Sequence, residues 1–374
     1  MELSRRDLLT ASAIMLMRPM SSISAPTGAH LAAPPLAGGT EPMLLCWNEN
    51  PYGPSPAARA AITQSIADGC RYPDDENPRL VKLIAEKEGL GPDHIVSGTG
   101  SGELLRALGL LAARQHGEIV AAEPTYSELT GYAQDAGATL KWVPVDKQLR
   151  HDLSAMHAAV SAKTRAVYIC NPNNPTGTMV DSATIAAFVA AMPDHVTTII
   201  DEAYLEFVEG APSSASLITG PKRVVVLRTF SKLHGMAGLR YGYGIARPDV
   251  IEEISAVRMT TPNIFAVRGA IASLGDKEFL TGCRRRIVAS RTRLTAELAR
   301  LHFPYAEPHG NFVFFDTGVP IKQFSEFMRQ RNILVGRRFA PYENWCRLTI
   351  GTEPQMDAFI EGLRAFRASP AKAA

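Results

Sequence analysis

Lys232 stands in the run Thr229-Phe230-Ser231-Lys232, eight residues before Arg240 and thirty-one residues after Asp201, which lies in an Ile-Ile-Asp-Glu-Ala-Tyr segment. A lysine flanked by small hydroxyl residues can hold an aldehyde cofactor as a Schiff base, while the hydroxyls and a following arginine grip its phosphate. An acid at the end of a buried strand can keep a pyridine nitrogen protonated. Pyridoxal phosphate (PLP) requires these three services, because its ring withdraws electrons only when the nitrogen carries positive charge. A Ser-Lys pair by itself is ordinarily a solvated loop. The constellation is what points to chemistry.

Two loops extend it. Gly98-Thr99-Gly100-Ser101-Gly102 leads into a helical stretch, so its free backbone N–H groups and the positive end of the helix suit a phosphate. The loop lacks the lysine of a P-loop, and no acid is placed for a ribose as in a dinucleotide fold, so a small phosphate-bearing cofactor fits better. Asn171-Pro172-Asn173-Asn174-Pro175-Thr176-Gly177 has the composition of a turn. Asn174 precedes a proline, which holds it extended and presents its amide above whatever sheet lies below.

The elements that must position these residues are short continuous apolar runs: Ile95–Ser97, Ile119–Ala122, Ala166–Cys170, Thr198–Ile200 and Val224–Leu227. Continuous runs imply strands buried on both faces, as in a mainly parallel α/β sheet covered by helices. Ligands of such sheets bind beyond the carboxyl ends of the strands, and Ser101, Tyr126, Asn174, Asp201 and Lys232 each follow a strand. Ser55-Pro56 opens a helix, residues 80–85 begin another, and residues 103–113 form a third. A long helical region from Ile264 to Leu301 precedes strands at 311–315 and 347–350, with a helix at 321–331 between them.

The chain has 374 residues, 46% hydrophobic and 20% charged, enough to bury a large core. Thirty-nine basic residues against 37 acidic ones give a net charge of +2, too weak a field to argue for a nucleic-acid partner. No apolar run is long enough for a stable membrane span. Five cysteines (Cys46, Cys70, Cys170, Cys283 and Cys346) show no CxxC spacing, so neither a metal site nor a disulfide framework is indicated. Ser4-Arg5-Arg6-Asp7-Leu8-Leu9, an apolar stretch to Met17 and small residues from Ser21 to Ala25 resemble a twin-arginine export signal. A Pro- and Gly-rich linker follows to Pro42, so residues 1–42 are read as signal and linker.

Taken in order, Asn48-Glu49-Asn50-Pro51-Tyr52-Gly53, Arg71-Tyr72-Pro73, Asn173–Gly177, Asp201–Tyr204, Ser231-Lys232 with Ala237–Arg240, and Arg347–Gly351 resemble the motifs of fold-type I, class I/II PLP-dependent aminotransferases. The resemblance is to the histidinol-phosphate aminotransferase branch and covers residues 43–366. It implies a large α/β domain at 71–264, with a mainly parallel sheet of seven-stranded type between helices. A smaller α+β domain at 265–374 and an N-terminal arm at 43–70, shared between the small domain and a dimer contact, complete the expectation. Lys232 then forms the internal aldimine, Asp201 pairs with the pyridinium nitrogen, and Asn174 and Tyr204 bond the phenolic oxygen. Tyr126 stacks on the ring, and Ser101, Gly102, Thr229, Ser231 and Arg240 hold the phosphate, joined by Tyr72 from the partner of a homodimer. Arg347 receives the substrate carboxylate, with Asn50, Tyr52 and Arg337 as further substrate residues. The activity implied is transfer of an amino group from an L-amino acid to a 2-oxo acid.

The chain departs from the branch in Leu334-Val335-Gly336-Arg337-Arg338-Phe339, where Gly336 stands about where an arginine for the substrate phosphate is usual. Either Arg337 or Arg338 takes over by a change of register, or both face solvent, with Trp345 adding an apolar wall suited to an aromatic or aliphatic side chain. The same lysine also serves fold-type I decarboxylases, racemases and lyases. Arg347 argues for transamination, since it holds the carboxylate in place.

Overall fold

Strands made wholly of apolar residues cannot leave either face in water, and the chain buries them accordingly. In the computed structural model, which describes residues 41–369, the strands run in chain order β1 (Met43–Leu45), β2 (Ile95–Gly98), β3 (Glu118–Glu123), β4 (Thr139–Pro144), β5 (Thr164–Cys170), β6 (Thr197–Asp201), β7 (Arg223–Thr229), β8 (Gly242–Ile245), β9 (Phe312–Asp316), β10 (Ile333–Val335) and β11 (Trp345–Thr349). The twin-arginine segment and most of the linker after it lie outside the described residues. Among the described residues, seven strands form one sheet in the order β2-β8-β7-β6-β5-β3-β4. Neighbours from β7 to β4 are parallel, and β8 alone runs antiparallel, to both β2 and β7.

The pleat sorts side chains by period two. Val167 and Ile169 of β5 join Val120, Phe188 and Val226 on one face, while Ala166, Tyr168 and Cys170 join Leu104, Leu129 and Leu227 on the other. A third cluster gathers around β9 and β11, an antiparallel pair, with the helices Lys277–Arg300, Ile321–Arg329 and Glu353–Ala368. β1 pairs parallel to β10, which ties the first described strand to the C-terminal part of the chain.

Several expected elements differ at their edges. The helix expected from Leu80 begins at Glu76, and the region from Ile264 to Leu301 is two helices that break at Asp276, whose side chain caps Phe279 N at 3.4 Å. Among the described residues no helix is long and apolar enough to cross a membrane.

Parallel registry brings the strand ends to one edge. Cys170 faces Asp201 and Asp201 faces Leu227 across the ladders, so the loops that carry Asn174, Asp201 and Lys232 leave the sheet side by side. The segment Asn48–Pro54 crosses the loop after Lys232 in close backbone contact. Gly235, at φ +68°, has no room for a Cβ, which would collide with the Gly53 carbonyl, whereas a Cβ on Gly53, at φ +65°, meets nothing within 4 Å. Gly235→Ala is therefore expected to lose about 2–4 kcal/mol in urea unfolding, left-handed strain plus overpacking, against about 1–2 kcal/mol for Gly53→Ala, which carries the strain alone. Equal losses would show that the contact between the two segments contributes nothing.

Candidate active site

Asp201 ends β6 with 2% of its surface exposed. Its carboxylate accepts hydrogen bonds from Ala203 N at 3.1 Å and from the Tyr168 hydroxyl at 3.2 Å. Burial nevertheless pushes the carboxyl up from 3.8 to about 6, outweighing those bonds and the nearby Lys232 charge. A carboxyl so placed calls for a cation. Tyr126, half-buried after β3, lies within electrostatic reach of Asp201 and Arg240, and burial holds its phenol well above the ordinary range.

Beside this acid the chain builds a cradle. Gly100, at φ +79°, caps the helix Ser101–Ala113, and Glu103 fixes the loop by accepting from Thr99 N at 2.6 Å, Met259 N at 3.0 Å and Thr260 N at 2.9 Å. A Cβ on Gly100 would collide with the Arg240 guanidinium, and one on Gly102 would lie 3.9 Å from it. Arg240 itself is anchored by donating to Ala237 O at 2.8 Å and reaches Ser231 Oγ at 3.5 Å, while Ser231 N donates to Thr229 Oγ1 at 3.1 Å. Free helix N–H groups, the Thr229 and Ser231 hydroxyls and a guanidinium thus converge, as a phosphate monoester requires.

Lys232 sits between acid and cradle. Its Nζ donates to Asn48 O at 3.1 Å and lies 5.5 Å from the Tyr204 ring centre. Burial, with the positive charges of Arg347 and Arg240, brings its amine down from 10.5 to about 8, against the pull of Glu49 and Asp201. The Tyr204 hydroxyl accepts from Asn48 Nδ2 at 3.0 Å and from Asn174 Nδ2 at 3.4 Å. Sequence reasoning placed Asn48 in a turn-forming segment and gave it no role. Its signal was the residue type, since Asn tolerates the left-handed backbone it adopts here, at φ +56°.

Arg347 is 7% exposed and donates to Asn174 Oδ1 and Cys46 O, both at 2.7 Å. Its Nε has no partner among the described residues, an orphaned donor of the kind a ligand carboxylate satisfies. Aromatic rings surround it: Phe339 and Phe312 lie 5.0 and 5.8 Å from the guanidinium carbon, and Phe314 packs against Trp345, Tyr342 and Phe339 at 4.9, 5.9 and 6.0 Å. Arg338 turns away into an ion pair with Glu343. Arg337, exposed, rests 5.3 Å over the Phe339 ring and makes no ion pair among the described residues. Gly336 is buried because its Cα faces β11, and a Cβ there would collide with the Arg347 carbonyl oxygen.

Three expected residues lie apart from this cluster. The Asn50 amide donates to Leu233 O at 2.7 Å and accepts from Tyr52 N at 3.0 Å, with Cys283 as a further partner, so it holds the segment Asn48–Pro54 to the lysine loop. Tyr52 packs against Arg286 of the helix Lys277–Arg300, its ring centre 4.0 Å from the guanidinium carbon. Tyr72 is 81% exposed.

Comparison with known proteins agrees with this geometry. Residues 40–363 match the family described as aminotransferase class I and II. The chain is 36% identical over 333 residues to the histidinol-phosphate aminotransferase of Moorella thermoacetica, covering 87% of this chain and 86% of that one. It is also 36% identical over 325 residues to the aromatic amino acid aminotransferase of Mycobacteroides abscessus, covering 86% and 92%. Among solved structures, the histidinol-phosphate aminotransferase of Sinorhizobium meliloti in complex with pyridoxal-5'-phosphate has a TM-score of 0.82 at 27% identity, covering 88% of this chain and 92% of that one.

The raised Asp201 carboxyl yields a signed test. Its folded value lies above the unfolded 3.8, so stability declines as pH rises from about 4 to about 6, and above that the cost is complete. Asp201→Asn is expected to stabilise the cofactor-free protein at pH 7 by roughly 2–3 kcal/mol, a gain that vanishes near pH 4 in urea titrations. The same variant should lose roughly a hundredfold or more in transamination rate. A destabilised variant at pH 7 would show that the carboxylate is satisfied without a cationic partner.

Proposed function

We propose that this chain, which belongs to the aminotransferase class I and II family and is a PLP-dependent aminotransferase, takes aromatic and other large neutral L-amino acids in preference to histidinol phosphate. Bound PLP supplies the electron sink that makes the substrate Cα proton removable. Asp201 would pair with the pyridine nitrogen, Tyr126 would cover the ring, and Asn174 and Tyr204 would bond its phenolic oxygen. The cradle of Ser101, Gly102, Thr229, Ser231 and Arg240 holds the phosphate. Arg347 orients the substrate through its carboxylate and so keeps the Cα–H bond, rather than the Cα–carboxylate bond, turned toward Lys232. With the cofactor bound, Lys232 Nζ would be the group that takes and returns the substrate Cα proton, and its lowered basicity leaves much of it neutral near pH 8, as a base must be.

One observation carries the substrate preference: the buried Arg347 has Phe312 and Phe339 beside its guanidinium, with Phe314, Tyr342 and Trp345 packed in the same aromatic cluster, while Gly336 offers no side chain and Arg338 is committed to Glu343. A bidentate phosphate contact is worth about 1.5–3 kcal/mol, roughly ten- to a hundredfold in specificity, and beside these rings the exposed Arg337, over Phe339, is the guanidinium left to supply one. The enzyme works as a homodimer in which Tyr72 of the partner subunit completes the phosphate cradle, a reading supported by an aromatic side chain left almost wholly in solvent. Arg5-Arg6 and the apolar stretch behind them support export by the twin-arginine route, which carries folded proteins with their cofactor in place.

A panel of phenylalanine, tyrosine, tryptophan, leucine and histidinol phosphate, compared by kcat/KM, tests the substrate reading. The aromatic substrates are expected to lead, Phe339→Ala to lower them roughly tenfold or more, and Arg337→Ala to change them less than about threefold. Histidinol phosphate in first place, with its rate abolished in Arg337→Ala, would transfer the preference to Arg337. For export, the Arg5→Lys, Arg6→Lys protein should accumulate in the cytoplasm, and its appearance outside would refute that route.

A further inference from the structure

Asn48 touches both Lys232 and Tyr204 and has no part in the reaction as described above. It is 1% exposed and holds a left-handed backbone, φ +56°, that an ordinary side chain avoids. Its amide orientation is decided by its neighbours. Asn48 N donates to Thr349 Oγ1 at 2.9 Å, and the Thr349 hydroxyl donates back to Asn48 Oδ1 at 3.2 Å, so Nδ2 must be the atom that faces Tyr204, at 3.0 Å. Asn174 is oriented likewise, since Arg347 occupies its Oδ1 at 2.7 Å and leaves Nδ2 for the same hydroxyl at 3.4 Å. A phenol oxygen that accepts two N–H groups has filled its acceptor sites. Its own proton therefore points away from both amides.

The other end of Asn48 addresses the lysine. Its carbonyl accepts Lys232 Nζ at 3.1 Å and Asn311 Nδ2 at 3.0 Å. A residue in the right-handed or extended region would aim that carbonyl elsewhere, so the strained conformation and the contact belong together.

We propose that Asn48 is a positioning residue for transamination: its amide directs the Tyr204 proton to the phenolic oxygen of the cofactor, and its carbonyl is the resting place of the Lys232 ammonium whenever that amine is not bonded to the cofactor. The inference rests on the roles given to Lys232 and Tyr204 above, which a separate Lys232→Ala protein tests by loss of the visible absorbance band. An N–H donor on the Tyr204 oxygen makes its O–H a stronger donor, and a stronger donor makes the cofactor easier to deprotonate. Removing the amide must therefore raise the pH at which the band changes.

Three variants separate the two roles. Asn48→Gly keeps the left-handed backbone and its carbonyl but loses the amide. Thr349→Val keeps the amide but frees it to rotate, and Asn311→Ala removes the competing donor on the carbonyl. In holoenzyme, Asn48→Gly and Thr349→Val are expected to move the midpoint of the band's pH titration up by about half to one unit, with kcat down roughly tenfold and KM within about twofold. In cofactor-free protein, the pH profile of Lys232 labelling by trinitrobenzenesulfonate, read by peptide mass spectrometry, should keep its midpoint in Asn48→Gly. It should shift upward in Asn311→Ala, because the carbonyl then serves the ammonium alone. Unchanged band midpoints in both Asn48→Gly and Thr349→Val overturn the amide's role, and an unchanged labelling midpoint in Asn311→Ala overturns the carbonyl's.

Discussion

A carboxylate held at the end of a fully covered strand, without a full cationic partner of its own, is the constraint around which this molecule is arranged. Asp201 cannot relax toward water, because Cys170 and Leu227 flank it in register and Tyr168 closes the side below. Two donors are too few to offset the loss of hydration, and burial holds the carboxyl above the usual carboxylate range, at about 6. Everything above the sheet is placed relative to that acid: the phosphate cradle on one side, the buried guanidinium on the other, and the lysine between them. Lys232 and Asp201 each weaken the other's departure from normal titration, yet burial dominates both. Such a site is poised for a ligand that carries a proton on a ring nitrogen and a negative charge at its far end.

The strap at Asn48–Pro54 ties the site to distant parts of the chain. Asn48 and Thr349 are 301 residues apart, and Asn50 reaches Leu233 across 183 residues. With β1 laid along β10, the N-terminal segment binds the C-terminal sheet and the lysine loop into one surface. Contacts of this range are slow to form, since each closes a long loop, and they bring no local reward until the sheet beneath exists. The strap is therefore the element whose order depends most on the rest being folded.

Much of this was legible in the residues alone, and the reasons for the exceptions are physical. Continuous apolar runs located β2, β3, β5, β6 and β7, because a strand covered on both faces admits nothing else. β8 escaped notice since Gly-Tyr-Gly-Ile offers no such run, and the structure shows why it cannot: a Cβ on Gly242 would collide with Ser101 N, and one on Gly244 would come within 3.0 Å of Val96 and 3.3 Å of Leu227. β4 was missed because it is an edge strand, with Thr139, Trp142 and Pro144 exposed. Asp201, Asn174, Tyr204, Lys232 and Arg347 come together as expected, each at a strand end or on β11. The contacts of Asn48 with Tyr204, Thr349 and Lys232 were not legible, because these partners lie far along the chain and an asparagine in a turn-forming segment reads only as a turn.

Gly336 closes a route as well as making room. Its missing side chain lets the segment after β10 lie against the Arg347 carbonyl, so the guanidinium and this backbone are packed as one unit. An arginine at that point would push the strand that carries Arg347, because its Cβ would already collide with the Arg347 carbonyl oxygen. The displacement would reach the guanidinium whatever ligand it faced. A side chain at 336 therefore needs the backbone loosened beforehand, whereas the neighbouring Arg337, already exposed over the Phe339 ring, can change without moving β11, so variation beside Arg347 is channelled to one position and barred from the other.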